Sequence, residues 1–372
     1  MTARRALMIV VLVLAAWSSS TAAAQGAQRW HGCLGDLECT RVTVPLDRSG
    51  GVAGSVPLRV ARARFAGRDA GHLMYLSGGP GGAGVFEMID VMLTVPSLLD
   101  RFTVIGFDQR GTGESGLLRC PSVERDERLR STAAGQKCAE RLGERRAFYT
   151  TPDSVADMEA IRKAAGADKL TLFGISYGTE LALAYARAHP QRVERLILDS
   201  VVDPDESDPY GLAGFRAMGP TLRSLCRPDC VADDPAAELA ALVASLRAQP
   251  LRGVVHTARG RPLRRTVRPV GISDLLYDAD YAPALRAGVP AAVRAAANGD
   301  AAPLLRLLRI SEGFATPSAP ADFSAARYAT VCEETPLPWP RGTPFPQRPG
   351  LARAGAAALG PAAFFPFDAE VA

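Results

Sequence analysis

Four short apolar runs constrain the fold of this chain more than any other feature. They read LMYL, FTVIGF, LTLF and LIL, at residues 73–76, 102–107, 170–173 and 196–198. Continuous apolar character is typical of strands that are buried on both faces of a parallel sheet. Helical patterns separate the runs, as in residues 151–166, while residues 39–46 and 56–65 alternate partly and predict two antiparallel strands. Alternating strands and helices predict an α/β fold with a mostly parallel sheet.

The character of the chain changes after this region. Residues 25–204 hold the runs described above and form the first part of the predicted core. Residues 205–334 are rich in alanine, arginine and leucine with helical periodicity, which predicts an inserted helical cap. Residues 335–372 begin with a proline-rich, irregular segment, and we expect them to end at the start of a further, C-terminal part of the core.

Residues 1–24 have the three parts of a secretory signal peptide. Arg4 and Arg5 precede an apolar run over residues 6–17, and small residues close the segment at Ala22-Ala23-Ala24. The run is shorter than the roughly 20 apolar residues that a membrane-spanning helix needs, and no later segment is apolar enough to span. We therefore expect an exported chain without a membrane span, in a periplasm or in the medium.

The charged residues argue against a nucleic-acid partner. The formal net charge is +4, and the 43 basic residues are scattered among 39 acidic ones. A protein that binds nucleic acid instead carries a clustered basic face. The sequence gives no indication of the oligomeric state.

Seven cysteines follow the predicted signal peptide, and export favours their pairing as disulfide bonds. Their order suggests three local pairs, Cys33–Cys39, Cys120–Cys138 and Cys226–Cys230, although sequence cannot prove connectivity. Cys332 is left without a partner. No histidines or Cys-x-x-Cys pairs accompany the cysteines, so we expect no metal site and no cofactor.

Residues 174–178 read Gly-Ile-Ser-Tyr-Gly, a pattern that can hold a nucleophilic serine on a sharp turn between a strand and a helix. The motif directly follows the run LTLF and directly precedes a helical pattern, which is the setting that it requires. A helix that begins at Ser176 would also aim its positive end at developing negative charge. Ser176 is therefore the predicted nucleophile, and an ordinary strand–helix turn is the alternative.

A glycine-rich loop, Ser77-Gly78-Gly79-Pro80-Gly81-Gly82, follows the run LMYL. In acyl transfer, an N–H group of such a loop and that of the residue after the nucleophile stabilise the tetrahedral oxyanion. We predict Gly79 and Tyr177 as these donors, with Gly78 as a close rival. A loop without function is the alternative.

A third motif, DQRGTGES at residues 108–115, follows the run FTVIGF. Its charged and hydroxyl side chains can pin this loop beneath the active-site face. We predict a structural role and no catalytic residue here.

Five motifs together resemble those of one family. GGPGG, DQRGTGES and GISYGT, with TVPLD at 43–47 and LDSVVDP at 198–204, are similar to the proline iminopeptidases and tripeptidyl aminopeptidases, serine peptidases of the α/β-hydrolase fold. The resemblance is to the secreted tripeptidyl-aminopeptidase branch and runs in order from Cys33 to at least Cys332. It implies Ser176 as nucleophile, the GGPGG loop as part of the oxyanion hole, and a helical cap after LDSVVDP.

The resemblance also implies acidic residues near the cap that hold the free N-terminal ammonium group of a substrate. Glu333 and Glu334, directly after Cys332, are the candidates. A solvated acidic pair is the alternative.

The chain departs from the family pattern at the catalytic triad, which runs Ser, then Asp or Glu, then His in α/β-hydrolases. Of the four histidines, His31, His72, His189 and His256, none follows the predicted cap, and only His256 could approach the pocket. We expect that the chain stops before the last core strands, so that the triad Asp and His lie outside it. The chain as given is then inactive or weakly active, and the missing part could hold the partner of Cys332.

The sequence thus predicts an exported serine hydrolase that acts as an aminopeptidase on the free N-termini of peptides, through an acyl-enzyme. An esterase or lipase on the same fold, or a non-catalytic truncated remnant, are the alternatives. Proline-specific and tripeptide-releasing activities are not distinguished by the sequence.

Overall fold

The computed structural model describes residues 28–64, 71–124, 132–226, 234–257, 259–314 and 325–367. Seven strands form its main sheet: β1 (His31–Gly32), β2 (Glu38–Pro45), β3 (Ser55–Ala63), β4 (Gly71–Leu76), β5 (Phe102–Phe107), β6 (Leu170–Ile175) and β7 (Val193–Asp199). They lie in the order β1-β2-β3-β5-β4-β6-β7. The pairs from β1 to β5 along this order are antiparallel, and β5, β4, β6 and β7 are parallel neighbours. The mostly parallel α/β sheet that the apolar runs predict is confirmed.

The first half of the chain contains the helices α1 (Gly84–Thr94), α2 (Pro121–Glu124), α3 (Thr132–Leu142), α4 (Thr151–Ala164) and α5 (Tyr177–Ala188), with 3₁₀ turns at Pro96–Asp100, Gly143–Phe148 and Pro190–Arg192. Of these, α1 covers one face of the sheet, and α4 and α5 cover the other. In β4, Met74 and Leu76 pack in the cluster that contains α4 and α5, whereas Leu73 and Tyr75 pack in the cluster that contains α1. Because successive side chains face opposite sides of a strand, burial on both sides explains the continuous apolar runs.

The last of the four runs differs from this prediction. β7 lies at the edge of the sheet, and its Leu196 and Ile197 are 38% and 39% exposed. In the described part of the chain, β7 has β6 as its one strand neighbour. The apolar run therefore predicted the strand correctly but not its burial.

The described residues between 212 and 314 form a second cluster of secondary structure. It contains α6 (Leu212–Leu225), α7 (Pro235–Ala248), α8 (Pro269–Tyr281), α9 (Pro283–Ala297) and α10 (Ala302–Phe314), and the antiparallel hairpin of β8 (Arg252–His256) and β9 (Pro262–Thr266). Buried side chains such as Leu242, Leu275 and Val293 give these elements a core of their own. The hairpin is a difference from the all-helical expectation. The role of this region as a cap stays a prediction.

The C-terminal region packs first against the core of the main sheet and then against the start of α6. α11 (Ala326–Glu334) places Ala329 in the core cluster that contains α4 and α5, and α12 (Arg348–Leu359) lies between 3₁₀ turns at Phe345–Gln347 and Pro361–Phe364. The hydroxyl of Tyr210 donates a hydrogen bond to the carbonyl of Ala352 (3.0 Å), which ties α12 to the start of α6. Residues 335–344 hold no helix, as expected of the proline-rich segment, but α12 begins before residue 350.

Two of the three predicted disulfide bonds, Cys33–Cys39 and Cys120–Cys138, are confirmed. Cys230, in the third predicted pair, lies outside the described residues, as does the predicted signal peptide. Cys332 is a free, exposed cysteine. Within the described ranges, no helix has both the length and the apolar character needed to cross a membrane.

Candidate active site

Ser176 lies on the turn between β6 and α5, where it is the N-cap residue of the helix. Its φ of 55° and ψ of −124° hold a non-glycine residue in a strained conformation. Hydrogen bonds fix both of its backbone groups, since its N–H donates to the Asp199 carbonyl (2.9 Å) and its carbonyl accepts from the Thr179 N–H (2.8 Å). This is the strand–turn–helix geometry that presents a serine side chain at the carboxyl edge of a parallel sheet.

The two glycines of the motif are required by close approach of the backbone. A Cβ atom on Gly178 would lie 2.0 Å from the carbonyl oxygen of Leu76, and one on Gly174 would lie 2.3 Å from the carbonyl oxygen of Gly178. Neither position has room for a side chain. The first turn of α5 therefore rests directly against the ends of β4 and β6, with Ser176 at that edge.

The glycine-rich loop meets Ser176 because it leaves β4, the strand next to β6. A Cβ atom on Gly78 would lie 3.2 Å from the Cβ of Ser176 and 3.8 Å from its Oγ. In the described part of the chain, the N–H groups of Gly78 and Gly79 donate no hydrogen bond. Tyr177 is the first residue of α5, a position whose N–H has no partner within its own helix. Unoccupied N–H donors thus lie on both sides of the serine, although Gly78, rather than Gly79, is the loop residue packed against it.

The motif at residues 108–115 supports this loop from the core side. The side-chain amide of Gln109 donates to the carbonyl of Ser77 (3.1 Å), and the carboxylate of Asp108 accepts from the N–H of Val85 (3.1 Å) at the start of α1. Burial raises the pKa of the Asp108 carboxyl. All of these polar groups are used within the protein, in agreement with the predicted structural role.

Arg110 anchors the same motif to α4 and β2. Its guanidinium forms two hydrogen bonds of 2.7 Å with the carboxylate of Asp157, and it also donates to the carbonyls of Phe148 (2.6 Å) and Leu46 (3.1 Å). Both members of the ion pair are almost fully buried. Arg48 contacts the same carboxylate from a more exposed position.

A cluster of polar side chains beside Ser176 joins three helices. The Thr151 hydroxyl, at the start of α4, donates to a carboxylate oxygen of Glu334 (2.8 Å) and lies 2.7 Å from the Tyr177 hydroxyl. The Thr151 N–H donates to the other oxygen of Glu334. Glu180, half-buried on the first turn of α5, faces the same group, and burial together with the charge of Glu334 raises its pKa to about 7.

The two acidic residues predicted to bind an ammonium group point to different partners. Glu334 lies in the cluster just described, and burial raises its pKa. Glu333 instead accepts a hydrogen bond from Arg146 (3.2 Å). The sequence reading missed Glu180, although its position three residues after Tyr177 places both on one helix face.

Within the described residues, no hydrogen bond joins Ser176 to any of the four histidines. His72 is the second residue of β4, about 13 Å from the last residue of that strand at ~3.3 Å per residue. His189 directly follows α5, about 20 Å from Ser176 at 1.5 Å per residue. His31 lies on β1, five strands from β6 in the sheet order. His256 ends β8, where it pairs with Pro262 and is exposed.

The site therefore combines a constrained serine with backbone donors that suit an oxyanion. Among the described residues, no group of three or more His, Cys, Asp or Glu side chains could hold a metal ion.

Comparisons with known proteins agree with the fold. The family model described as "alpha/beta hydrolase fold" matches residues 71–283. The chain is 32% identical over 212 residues to a tripeptidyl aminopeptidase of Streptomyces lividans, covering 49% of this chain and 40% of that protein. It is 33% identical over 206 residues to the serine protease Hip1 of Mycobacterium tuberculosis, covering 50% and 39%. A proline iminopeptidase of Neisseria gonorrhoeae is 31% identical over 133 residues, 36% of this chain and 33% of that protein. The match to the first of these relatives thus spans about two fifths of its length.

Proposed function

Because the chain belongs to the alpha/beta hydrolase fold family, we propose that it is a serine hydrolase with Ser176 as its nucleophile. The observation that carries the proposal is the strained Ser176 backbone at the turn between β6 and α5, with Gly78 packed against the side chain. In the proposed reaction, the Ser176 oxygen attacks the acyl carbon and its proton passes to a base. The N–H of Tyr177 and that of Gly79 or Gly78 then stabilise the oxyanion. Loss of the leaving group gives an acyl-enzyme, which water hydrolyses.

The proposed substrates are peptides with a free N-terminus. The names of the relatives, tripeptidyl aminopeptidase and proline iminopeptidase, support this class. Glu334, with Glu180 facing it beside the nucleophile, could neutralise the ammonium group of such a substrate. Glu333 would first have to leave Arg146 to take part.

The mechanism needs a general base, because a serine hydroxyl is a weak nucleophile without one. Since His31, His72, His189 and His256 are not placed for this role, we propose that the triad His and Asp are not among these 372 residues. Experiments should therefore compare the product of the whole natural reading frame with residues 25–372.

Export to a periplasm or the medium is part of the same proposal. Two disulfide bonds within the described residues support it, because disulfides persist in oxidising compartments. Mass spectrometry of the mature N-terminus would test cleavage after residue 24.

Matched chromogenic substrates test the peptidase activity. We expect the product of the whole reading frame to cleave peptide p-nitroanilides with a free N-terminus and to discriminate against the same peptides with a blocked N-terminus. A Ser176→Ala variant whose urea unfolding midpoint equals that of the wild type should lose this activity. Cleavage of p-nitrophenyl esters alone would favour an esterase, and no Ser176-dependent cleavage of either class would contradict the serine hydrolase proposal.

A further inference from the structure

The first turn of α11 contacts the glycine-rich loop. Arg327 donates a hydrogen bond from Nη1 to the carbonyl of Gly79 (3.3 Å). A Cβ atom on Gly81 would lie 3.3 Å from the Cβ of Arg327 and 3.5 Å from its backbone nitrogen. The backbone of the helix therefore packs against the loop. Among the described residues, no carboxylate forms an ion pair with Arg327.

The other end of α11 is linked through Thr151 to Tyr177, the second half of the proposed oxyanion hole. Glu334, its last residue, accepts from the Thr151 hydroxyl, and this hydroxyl in turn lies within hydrogen-bond distance of the Tyr177 hydroxyl. Since the hydroxyl proton of Thr151 is directed to Glu334, the Tyr177 hydroxyl donates to Thr151. The side chain of Tyr177 is buried, so this chain of hydrogen bonds fixes the residue whose N–H follows the nucleophile.

The middle of α11 is held firmly in the core. Ala329 is buried in the cluster that contains α4 and α5, and the Thr330 hydroxyl donates to the carbonyl of Tyr149 (2.6 Å). Before the helix, the N–H of Ala325 donates to the carbonyl of Leu118 (3.0 Å). Arg327 and Glu334 are seven residues, or about 10 Å, apart on one helix. A single helix thus contacts the loop on one side of the serine directly and is linked to Tyr177 on the other side through Thr151.

We propose that α11 is a strut that positions both halves of the oxyanion hole, through Arg327 at the Gly79 carbonyl and through Glu334 and Thr151 at the Tyr177 hydroxyl. This inference rests on the proposed function, because it gives α11 a role in the reaction of Ser176. Arg327 and Thr151 are positioning residues that act through the donors, and Glu334 holds Thr151 in addition to its proposed contact with the ammonium group of the substrate.

The strut predicts an effect on kcat rather than on KM. Loss of an oxyanion donor costs about 10²–10³ in kcat. A donor that is displaced but still present should cost less, and we expect about a tenfold fall in kcat with KM within about twofold. This pattern differs from loss of an ammonium-binding carboxylate, which raises KM for substrates with a free N-terminus.

Two hydroxyl variants and one matched control test the strut in the product of the whole reading frame. Tyr177→Phe and Thr151→Val break the chain of hydrogen bonds but keep Glu180 and Glu334. Tyr185→Phe is the control, because Tyr185 is fully buried on the same helix and its hydroxyl donates to Glu159 (2.9 Å), two turns further along α5.

Two further variants complete the set. Thr151→Ser keeps a hydroxyl at position 151, and Arg327→Met removes the hydrogen bond at the other end of α11.

The assay measures kcat and KM on an activated ester without an ammonium group and on the free peptide p-nitroanilide, beside the urea midpoint of each variant. We expect lower kcat on both substrates for Tyr177→Phe, Thr151→Val and Arg327→Met, recovery in Thr151→Ser, and little change in Tyr185→Phe. Should Thr151→Val not fold, Tyr177→Phe and Thr151→Ser decide the result.

Equal effects of Tyr177→Phe and Tyr185→Phe on kcat would overturn the strut while the proposed function stands. An unchanged kcat in Tyr177→Phe and Arg327→Met would do the same. An inactive, folded wild type would overturn the proposed function itself, and the strut with it.

Discussion

The backbone of Ser176 has a strained conformation that its immediate neighbours stabilise. A non-glycine residue at positive φ costs on the order of 1–3 kcal/mol, and hydrogen bonds to Asp199 and Thr179 hold it there. Gly174 and Gly178 allow the backbone approach that this conformation needs. The sequence motif therefore specifies the turn through the residues beside the serine as much as through the serine.

Gly178→Ala should destabilise the protein by about 3 kcal/mol, because the new Cβ would overlap the carbonyl oxygen of Leu76 and force a backbone shift. Urea unfolding followed by circular dichroism measures the change. Gly135→Ala is the matched control in α3, where an added Cβ meets no atom within 4 Å, and it should stabilise the protein by about 0.5–1 kcal/mol. Equal stability of the two variants would contradict this account of the turn.

Glu180 should make the free energy of unfolding depend on pH. Burial and the charge of Glu334 raise its pKa from 4.5 to about 7 in the folded protein. The folded state therefore binds the proton of the Glu180 carboxyl more tightly than the unfolded state does. The stability that this proton contributes is fully present below pH 4.5 and is lost as the pH rises through about 7. Glu180→Gln should consequently gain stability relative to wild type between pH 4.5 and pH 8, as measured by urea unfolding.

Glu159→Gln is the control of opposite sign for this prediction. Hydrogen bonding to Arg162 lowers the pKa of Glu159 to about 2, so its contribution is present at neutral pH and is lost as the pH falls from 4.5 through about 2. This variant should be less stable than wild type at pH 7. A difference between Glu180→Gln and wild type that does not change with pH would contradict the assigned role of Glu180.

Among the elements, the strands of the sheet are the best predicted. The predicted runs 73–76, 102–107 and 170–173 lie within β4, β5 and β6, because burial on both faces leaves a continuous apolar signal. The hairpin of β8 and β9 was missed, since RGVVH and PLRRT are short and largely polar on the exposed side. The exposure of Leu196 and Ile197 could not be predicted either, because it depends on the neighbours that the strand has in the sheet.

The buried ion pair between Arg110 and Asp157 links the loop after β5 to α4. Asp157→Ala should cost about 3–5 kcal/mol, since it leaves a buried guanidinium without its carboxylate. The combined change Arg110→Met with Asp157→Leu should cost much less than the sum of Arg110→Met alone and Asp157→Leu alone, which with the wild type complete a cycle of four proteins. Urea unfolding of the four proteins gives the coupling energy, and additive effects would show that the pair does not act as a unit.

At the scale of the whole molecule, the two largest hydrophobic clusters among the described residues lie in different regions of the chain. One packs the main sheet with α4 and α5, and the other packs α6 to α10 with the hairpin. The change of character at residue 205 and the motifs that contain Ser176 and the glycine-rich loop are visible in the sequence, and the role of Ser176 as nucleophile stays a prediction. The sequence could not predict that Glu334 meets Thr151, because the two residues are 183 positions apart and are brought together by the packing of α11 on the core.

The reaction of Ser176 with a fluorophosphonate, in the product of the whole natural reading frame, tests the central claim most directly. The label forms a covalent bond with an activated serine, and peptide mass spectrometry locates it. The account predicts an adduct on the peptide that contains Ser176, and no adduct in a folded Ser176→Ala variant. Absence of the adduct from a folded wild type, or an adduct on another serine that persists in Ser176→Ala, would contradict it.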